Sequence, residues 1–169
     1  MFLKTNRGYT LIEAIIYIAI LAVMVVVFVS LLITMTRAYA SFRLARDIVS
    51  SSETALERLI SEVRGAGGVN VLSVLGTDPG RLVLDTTDGN GAATTMDFYL
   101  FNNVLMLKEG SNVAASTTSA RVKVDNLVFR QINTAESSAV KVEMTLSASR
   151  GTVNKIAKFY TTAVLRGSY

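Results

Sequence analysis

The pattern of apolar and polar positions changes period twice along the chain, and each change predicts a different element. From Ala14 to Thr36 the side chains are almost all apolar, a run of about twenty residues that can cross a bilayer as a helix. One carboxylate, Glu13, stands at its N-terminal lip, and an unpaired acid at that depth is costly and needs a reason. Past Arg37 the run turns amphipathic. Ala45, Ile48, Val49, Leu56, Leu59, Ile60 and Val63 recur at helical spacing, while Arg46, Asp47, Ser50, Glu53, Glu57, Ser61 and Glu62 fall largely elsewhere on the wheel. Neither Gly nor Pro occurs between Tyr9 and Arg64, so the pattern predicts one long helix, closed by Gly65-Ala66-Gly67-Gly68. Ser50-Ser51-Ser52-Glu53 has the spacing of a capping box and marks the place where a second helix would start.

Beyond the glycines the period drops to two. Arg81–Thr86 is a short strand set off by the turn Asp78-Pro79-Gly80. Thr95–Phe101 and Val104–Lys108 flank Asn102-Asn103, which reads as a tight hairpin turn. Asp88-Gly89-Asn90-Gly91 and Ser111–Ser119 read as exposed loops. Arg121–Ile132 is a strand whose apolar positions switch parity from Val122 and Val124 to Leu127 and Phe129, which a bulge near Asp125-Asn126 explains. Val140, Val142, Met144 and Leu146 alternate with polar residues in a half-buried strand, and Ile156–Arg166 makes the last one. The expected fold is α+β: a long N-terminal helix, half membrane-embedded and half amphipathic, packed on a C-terminal antiparallel β-sheet. The parts expected are a short basic segment at 1–8, the apolar half of the helix at 9–36, its amphipathic half at 37–64 and the sheet domain at 65–169.

Composition narrows the function more than the fold. The chain has 169 residues, and one span plus roughly 130 further residues leaves room for a single compact domain. It contains no Cys and no His, so a disulfide framework, a thiolate site and the commonest general base and metal ligand are all missing. A nucleophilic Ser would lack its His, and the sequence is not read as an enzyme. The net charge of +4 shrinks on inspection: Lys4 and Arg7 belong to the segment before the span, leaving 15 of the 17 basic residues against 13 acidic ones. No basic run follows, so the sequence carries no nucleic-acid footprint. Asp78, Asp85, Asp88 and Asp97 cluster around turns, and Asp85, Asp88 and Asn90 would supply oxygen ligands to calcium. Their spacing fits no calcium loop, and they read as solvated turn carboxylates. No cofactor and no metal is expected. Positive charge before the span and the domain after it orient the N-terminus to the cytoplasm. The span is too long for an ordinary secretory signal, and no small-residue cleavage site follows it.

The segment Arg7-Gly8-Tyr9-Thr10-Leu11-Ile12-Glu13-Ala14, led by Lys4, resembles the prepilin peptidase recognition sequence of type IV pilins and pseudopilins. The resemblance is confined to the first fifth of the chain. It implies a precursor with a leader at 1–8, cut between Gly8 and Tyr9 on the cytoplasmic side, with the new N-terminus at Tyr9 methylated. Tyr stands where the family favours Phe. Glu13 matches the family's near-invariant acid, and the resemblance implies that it serves assembly. A Gly at the scissile site lets a protease approach the backbone closely. Phe159–Arg166 and the turn Phe101-Asn102-Asn103-Val104-Leu105 are similar to the corresponding parts of minor pilins and minor pseudopilins. The two-Cys loop and membrane-helix Pro of many major pilins are absent, which tilts the expectation toward a minor subunit.

The implied partners are a prepilin peptidase and methyltransferase, other pilin or pseudopilin subunits, the membrane, and an inner-membrane assembly platform with its ATPase. The implied location is the inner membrane in single-pass form, then an envelope fibre. Physically, Glu13 in an apolar helix bundle would need a cation, and cleavage supplies one as the α-amino group of Tyr9 on a neighbouring subunit. One acid and one amine per subunit make a head-to-tail contact that propagates as a filament. The bland alternative for Glu13 is an acid resting at the headgroup level beside its own N-terminus. Two alternatives stand for the whole chain: a competence-type minor pilin whose outer domain binds DNA, and a plain single-span anchor that keeps its leader.

Overall fold

A computed structural model describes residues 10–134 and 137–166. The chain forms two compact units that divide between Ala40 and Ser41, although the helix α1, Leu11–Gly65, runs through the division.

In the first unit, every described side chain up to Tyr39 is exposed except Glu13, which is half-buried, as is Ala40. The most apolar stretch of α1 has a mean hydropathy of 3.1, which by length and composition is enough to cross a membrane. The two threonines near the end of this stretch satisfy their hydroxyls within the helix. Thr34 donates its hydroxyl to the carbonyl of Ser30 at 2.9 Å, and Thr36 donates to that of Ile33 at 2.8 Å. A helix with no free backbone groups and back-bonded hydroxyls is the form that hydrocarbon tolerates.

The second unit packs the rest of α1 against antiparallel sheets. Leu44, Ile48, Ser51, Ser52, Ala55, Leu59 and Val63 form its buried face. That face is rotated from the stripe expected from the sequence: Leu44 is inside, whereas Ala45 is exposed and Val49 is 45% exposed. Ser51 and Ser52, polar in the sequence, lie inside that face, 6% and 1% exposed. The helix does not break there. Ser50, the cap position of that box, lies inside the continuous helix, and its carbonyl accepts the Thr54 hydroxyl at 3.0 Å. Ser52 donates back to the carbonyl of Val49 at 2.7 Å, and the Ser51 hydroxyl accepts the Ser119 N–H at 2.9 Å.

Eight strands follow among the described residues: β1 (Gly68–Val69), β2 (Leu82–Thr87), β3 (Ala93–Phe101), β4 (Val104–Glu109), β5 (Ala115–Ser116), β6 (Lys123–Asn133), β7 (Ser138–Arg150) and β8 (Val153–Val164). They divide into two sheets, β1-β2-β3-β4-β5 and β6-β7-β8, where the sequence had suggested one. Asn102 and Asn103 both adopt positive φ, 51° and 61°, as the two-residue turn between β3 and β4 requires. The β6–β7 register shifts between Val124 and Asn126, where the apolar parity switches. Ser111–Ser119 is not wholly loop: β5 pairs with β4, and the buried Thr118 hydroxyl accepts the Leu105 N–H at 3.1 Å.

The β1–β2 connection closes the outer edge of β6. Gly76 and Gly80 donate to the carbonyls of Phe129 and Leu127 at 2.8 and 2.7 Å, and Asp78 Oδ1 accepts the Leu127 N–H at 2.8 Å. A covered strand edge has no free ladder to offer a second chain. The core between helix and sheets includes Ile48, Leu59, Leu82, Leu84, Phe98, Leu105, Leu127, Phe129, Met144 and Leu146, all essentially inaccessible.

Candidate functional site

The first turn of α1 is built by a polar residue at its mouth. The N–H of Glu13 donates to Thr10 Oγ1 at 3.3 Å, and that of Ala14 donates to the Thr10 carbonyl at 3.2 Å. Thr10 is therefore the N-cap and Glu13 the third helical residue, the Thr-x-x-Glu spacing of a capping box. The Glu13 side chain points along the helix rather than back to the cap. Its Oε1 accepts the hydroxyl of Tyr17, one turn on, at 3.2 Å. The residues around it, Leu11, Ile12 and Ile16, are apolar and exposed.

The magnitudes show that Glu13 would be incompletely served in an apolar surround. One neutral hydroxyl bond is worth about 1 kcal/mol net. A carboxylate in the first turn of a helix gains about 0.3–1 kcal/mol from the dipole. Removing a carboxylate from water costs several kcal/mol even after relaxation. A carboxylate also has about four acceptor positions. Among the described residues, ion pairs join Arg58 to Glu62, Arg81 to Asp97, and Glu143 to both Arg130 and Lys141, and none of them includes Glu13. The site can hold one cation against an apolar surface.

Gly8 and Tyr9, the expected cleavage and methylation positions, lie outside the described residues, as do Lys4 and Arg7. The sequence reading named Glu13 but missed Thr10 and Tyr17. Thr10 was legible in the Thr-x-x-Glu spacing, and Tyr17 in its distance of four residues from the acid, which places both on one helix face.

The turn carboxylates are engaged in structure. Asp78 holds Leu127, Asp85 accepts from Asn70 Nδ2 at 2.6 Å, and Asp88 accepts the N–H groups of Asn90 and Ala92 at 2.9 and 2.8 Å. Asp97, on β3, takes a two-pronged contact from Arg81 at 2.9 and 2.6 Å.

Comparison with known proteins finds the prokaryotic N-terminal methylation motif at residues 3–29, the type IV prepilin signature. No curated protein and no solved structure matches the chain significantly. The motif, together with an N-terminal apolar helix of membrane-spanning length, fits a membrane-anchored envelope protein. It implies processing by a prepilin peptidase and assembly with other pilin subunits.

Proposed function

We propose that the chain is a structural subunit, of the minor class, of a type IV pilus or type II secretion pseudopilus. A prepilin peptidase cuts it between Gly8 and Tyr9, and Tyr9 is then N-methylated. Ala14–Thr36 stores it in the inner membrane with the second unit outside the cytoplasm. An assembly platform driven by its ATPase then moves it into a fibre. The observation that carries this reading is the methylation motif at residues 3–29, which ends inside the apolar half of α1.

The chemistry of Glu13 supports the assembly step. Its carboxylate has one hydroxyl donor and an apolar surround, which leaves it needing a cation in any water-free bundle. The methylated amine of Tyr9 on a neighbouring subunit stays cationic and meets that need.

The test is the intact mass of the membrane-extracted chain, with and without active peptidase. Loss of Met1–Gly8 plus one methyl is expected. A chain that keeps its leader beside active peptidase refutes the reading and leaves a plain single-span anchor. Glu13→Gln separates storage from assembly: it keeps the processed mass and membrane insertion, and lowers incorporation into sheared fibres at least tenfold.

A further inference from the structure

We propose that a cleft formed by Arg43, Arg121 and Arg150 binds the phosphate of an anionic phospholipid at the surface of the membrane that holds α1. The inference rests on the reading that Ala14–Thr36 is membrane-embedded.

The sequence scatters these cations over more than a hundred positions, and the fold gathers them. Arg43 comes from the start of α1 in the second unit, Arg121 from the approach to β6, and Arg150 from the end of β7. They line a cleft of about 420 Å³ with Leu44, Asp47 and Ser149, within the size range of small-ligand sites. A second cleft of about 590 Å³ adjoins it through Arg121 and Ser149, and adds Lys123 and Asp125. The two together set four cations against two carboxylates. All three arginines are exposed, and among the described residues neither Arg121 nor Arg150 forms an ion pair. Arginines lining one hollow suit phosphate, whose oxygens a guanidinium binds in pairs.

The position of the cleft selects a lipid. It lies where the chain enters the second unit, and Arg43 is seven residues past Thr36, the end of the apolar run. Seven residues span about 10 Å as helix and no more than about 25 Å fully extended, so Arg43 stays within reach of the headgroup layer. Phe42, beside Arg43, is 76% exposed, an apolar side chain with no place in the protein core. An exposed aromatic and long cations at the end of a span suit a membrane interface, where apolar stems sit against lipid and charged heads meet phosphates. A DNA-binding face would instead gain from standing away from the bilayer, whose anionic lipids repel DNA.

The test uses the full-length chain in zwitterionic phosphocholine micelles. The Arg Nε–Hε signals are followed by NMR as phosphatidylglycerol is added. A saturable shift at Arg121 and Arg150 is expected. Each cation near an anionic surface contributes about a fivefold affinity factor, so Arg121→Ala with Arg150→Ala should raise the half-saturating fraction of phosphatidylglycerol at least tenfold. Lys108→Ala, in a different cleft with Arg81, Asp97 and Tyr99, should leave it unchanged. Three results overturn the proposal: no shift beyond that in phosphocholine, the same response in the double variant, or an equal response to Lys108→Ala. Inorganic phosphate or a short DNA duplex reproducing the shift at lower concentration reassigns the site to that ligand and also overturns it. A water-soluble relaxation agent checks the premise separately, because amides of Leu21–Leu32 stay shielded if the apolar run is in the micelle.

Discussion

Ser51 is polar by composition and 6% exposed by position, and its hydroxyl is the acceptor for the Ser119 N–H across the helix–sheet contact. Ser51→Ala removes that acceptor and leaves a part-buried donor unsatisfied, so we expect a loss of about 1–2 kcal/mol. Ser50→Ala, on the exposed side of the same turn, stays within about 0.5 kcal/mol. Chemical denaturation of the full chain in mild detergent, read by circular dichroism, distinguishes the two. Gly80 is as sensitive for a different reason. A Cβ there would sit 3.0 Å from both the Leu127 carbonyl oxygen and Phe129 Cδ2, in the connection that closes the edge of β6. Gly80→Ala should cost about 1–3 kcal/mol in the same assay, because a backbone oxygen cannot swing aside. Charge gives a pH-dependent counterpart. Lys141 donates to Glu143 Oε1 at 2.9 Å, and with Arg130 at 3.5 Å it holds the Glu143 carboxyl below the usual glutamate range. A depressed carboxyl stabilises the fold above its unfolded pKa, and that gain is lost as the pH falls through its folded value. The stabilising effect is small because the group is solvent-screened. Lys141→Ala should move the Glu143 titration, followed by carbon NMR of the carboxyl, back up toward the ordinary range, and an unchanged midpoint would show that the contact does not hold in solution.

At the scale of elements, α1 divides its energetics by position. The half in the second unit buries one face, and Leu59 at its centre is wholly inaccessible. Leu59→Ala opens a cavity between helix and sheets and should cost about 2–5 kcal/mol. Leu56, one turn away and only partly buried, should cost less. The length of the helix, its end at the glycines, the Asn102-Asn103 turn and the bulge after Val124 were all legible, because each is encoded within a few residues. The rotation of the buried face was not, since Ser51 looks polar until Ser119 is brought to it from 68 positions away, and Ser52 until its hydroxyl turns back onto the Val49 carbonyl. The division into two sheets escaped for the same reason. Strand pairing is non-local, and β1 and β5 are two-residue strands that exist only because a longer neighbour offers its edge. In the candidate site the acid was legible by its isolation among apolar residues. The Tyr17 hydroxyl that bonds the acid and the Thr10 cap beneath it were not singled out, because each acts only once the helix has formed.

At the scale of the whole molecule, the hydrophobic core contains no residue before Leu44 among the described residues. A fragment of residues 41–169 should therefore fold alone, giving a β-rich circular dichroism spectrum and a cooperative melt without detergent. A non-cooperative melt would mean that the apolar half of α1 stabilises the second unit. The converse does not hold for that apolar half. From Leu11 to Met35 its large side chains stand exposed along the whole helix, and burying each is worth about 1.5–3 kcal/mol. Exposure of the entire row to water would cost tens of kcal/mol, far more than the margin by which any domain is folded. Such a helix has no dissolved life: wherever the chain goes, that row must be handed from one apolar surround directly to the next, without an intervening stay in water.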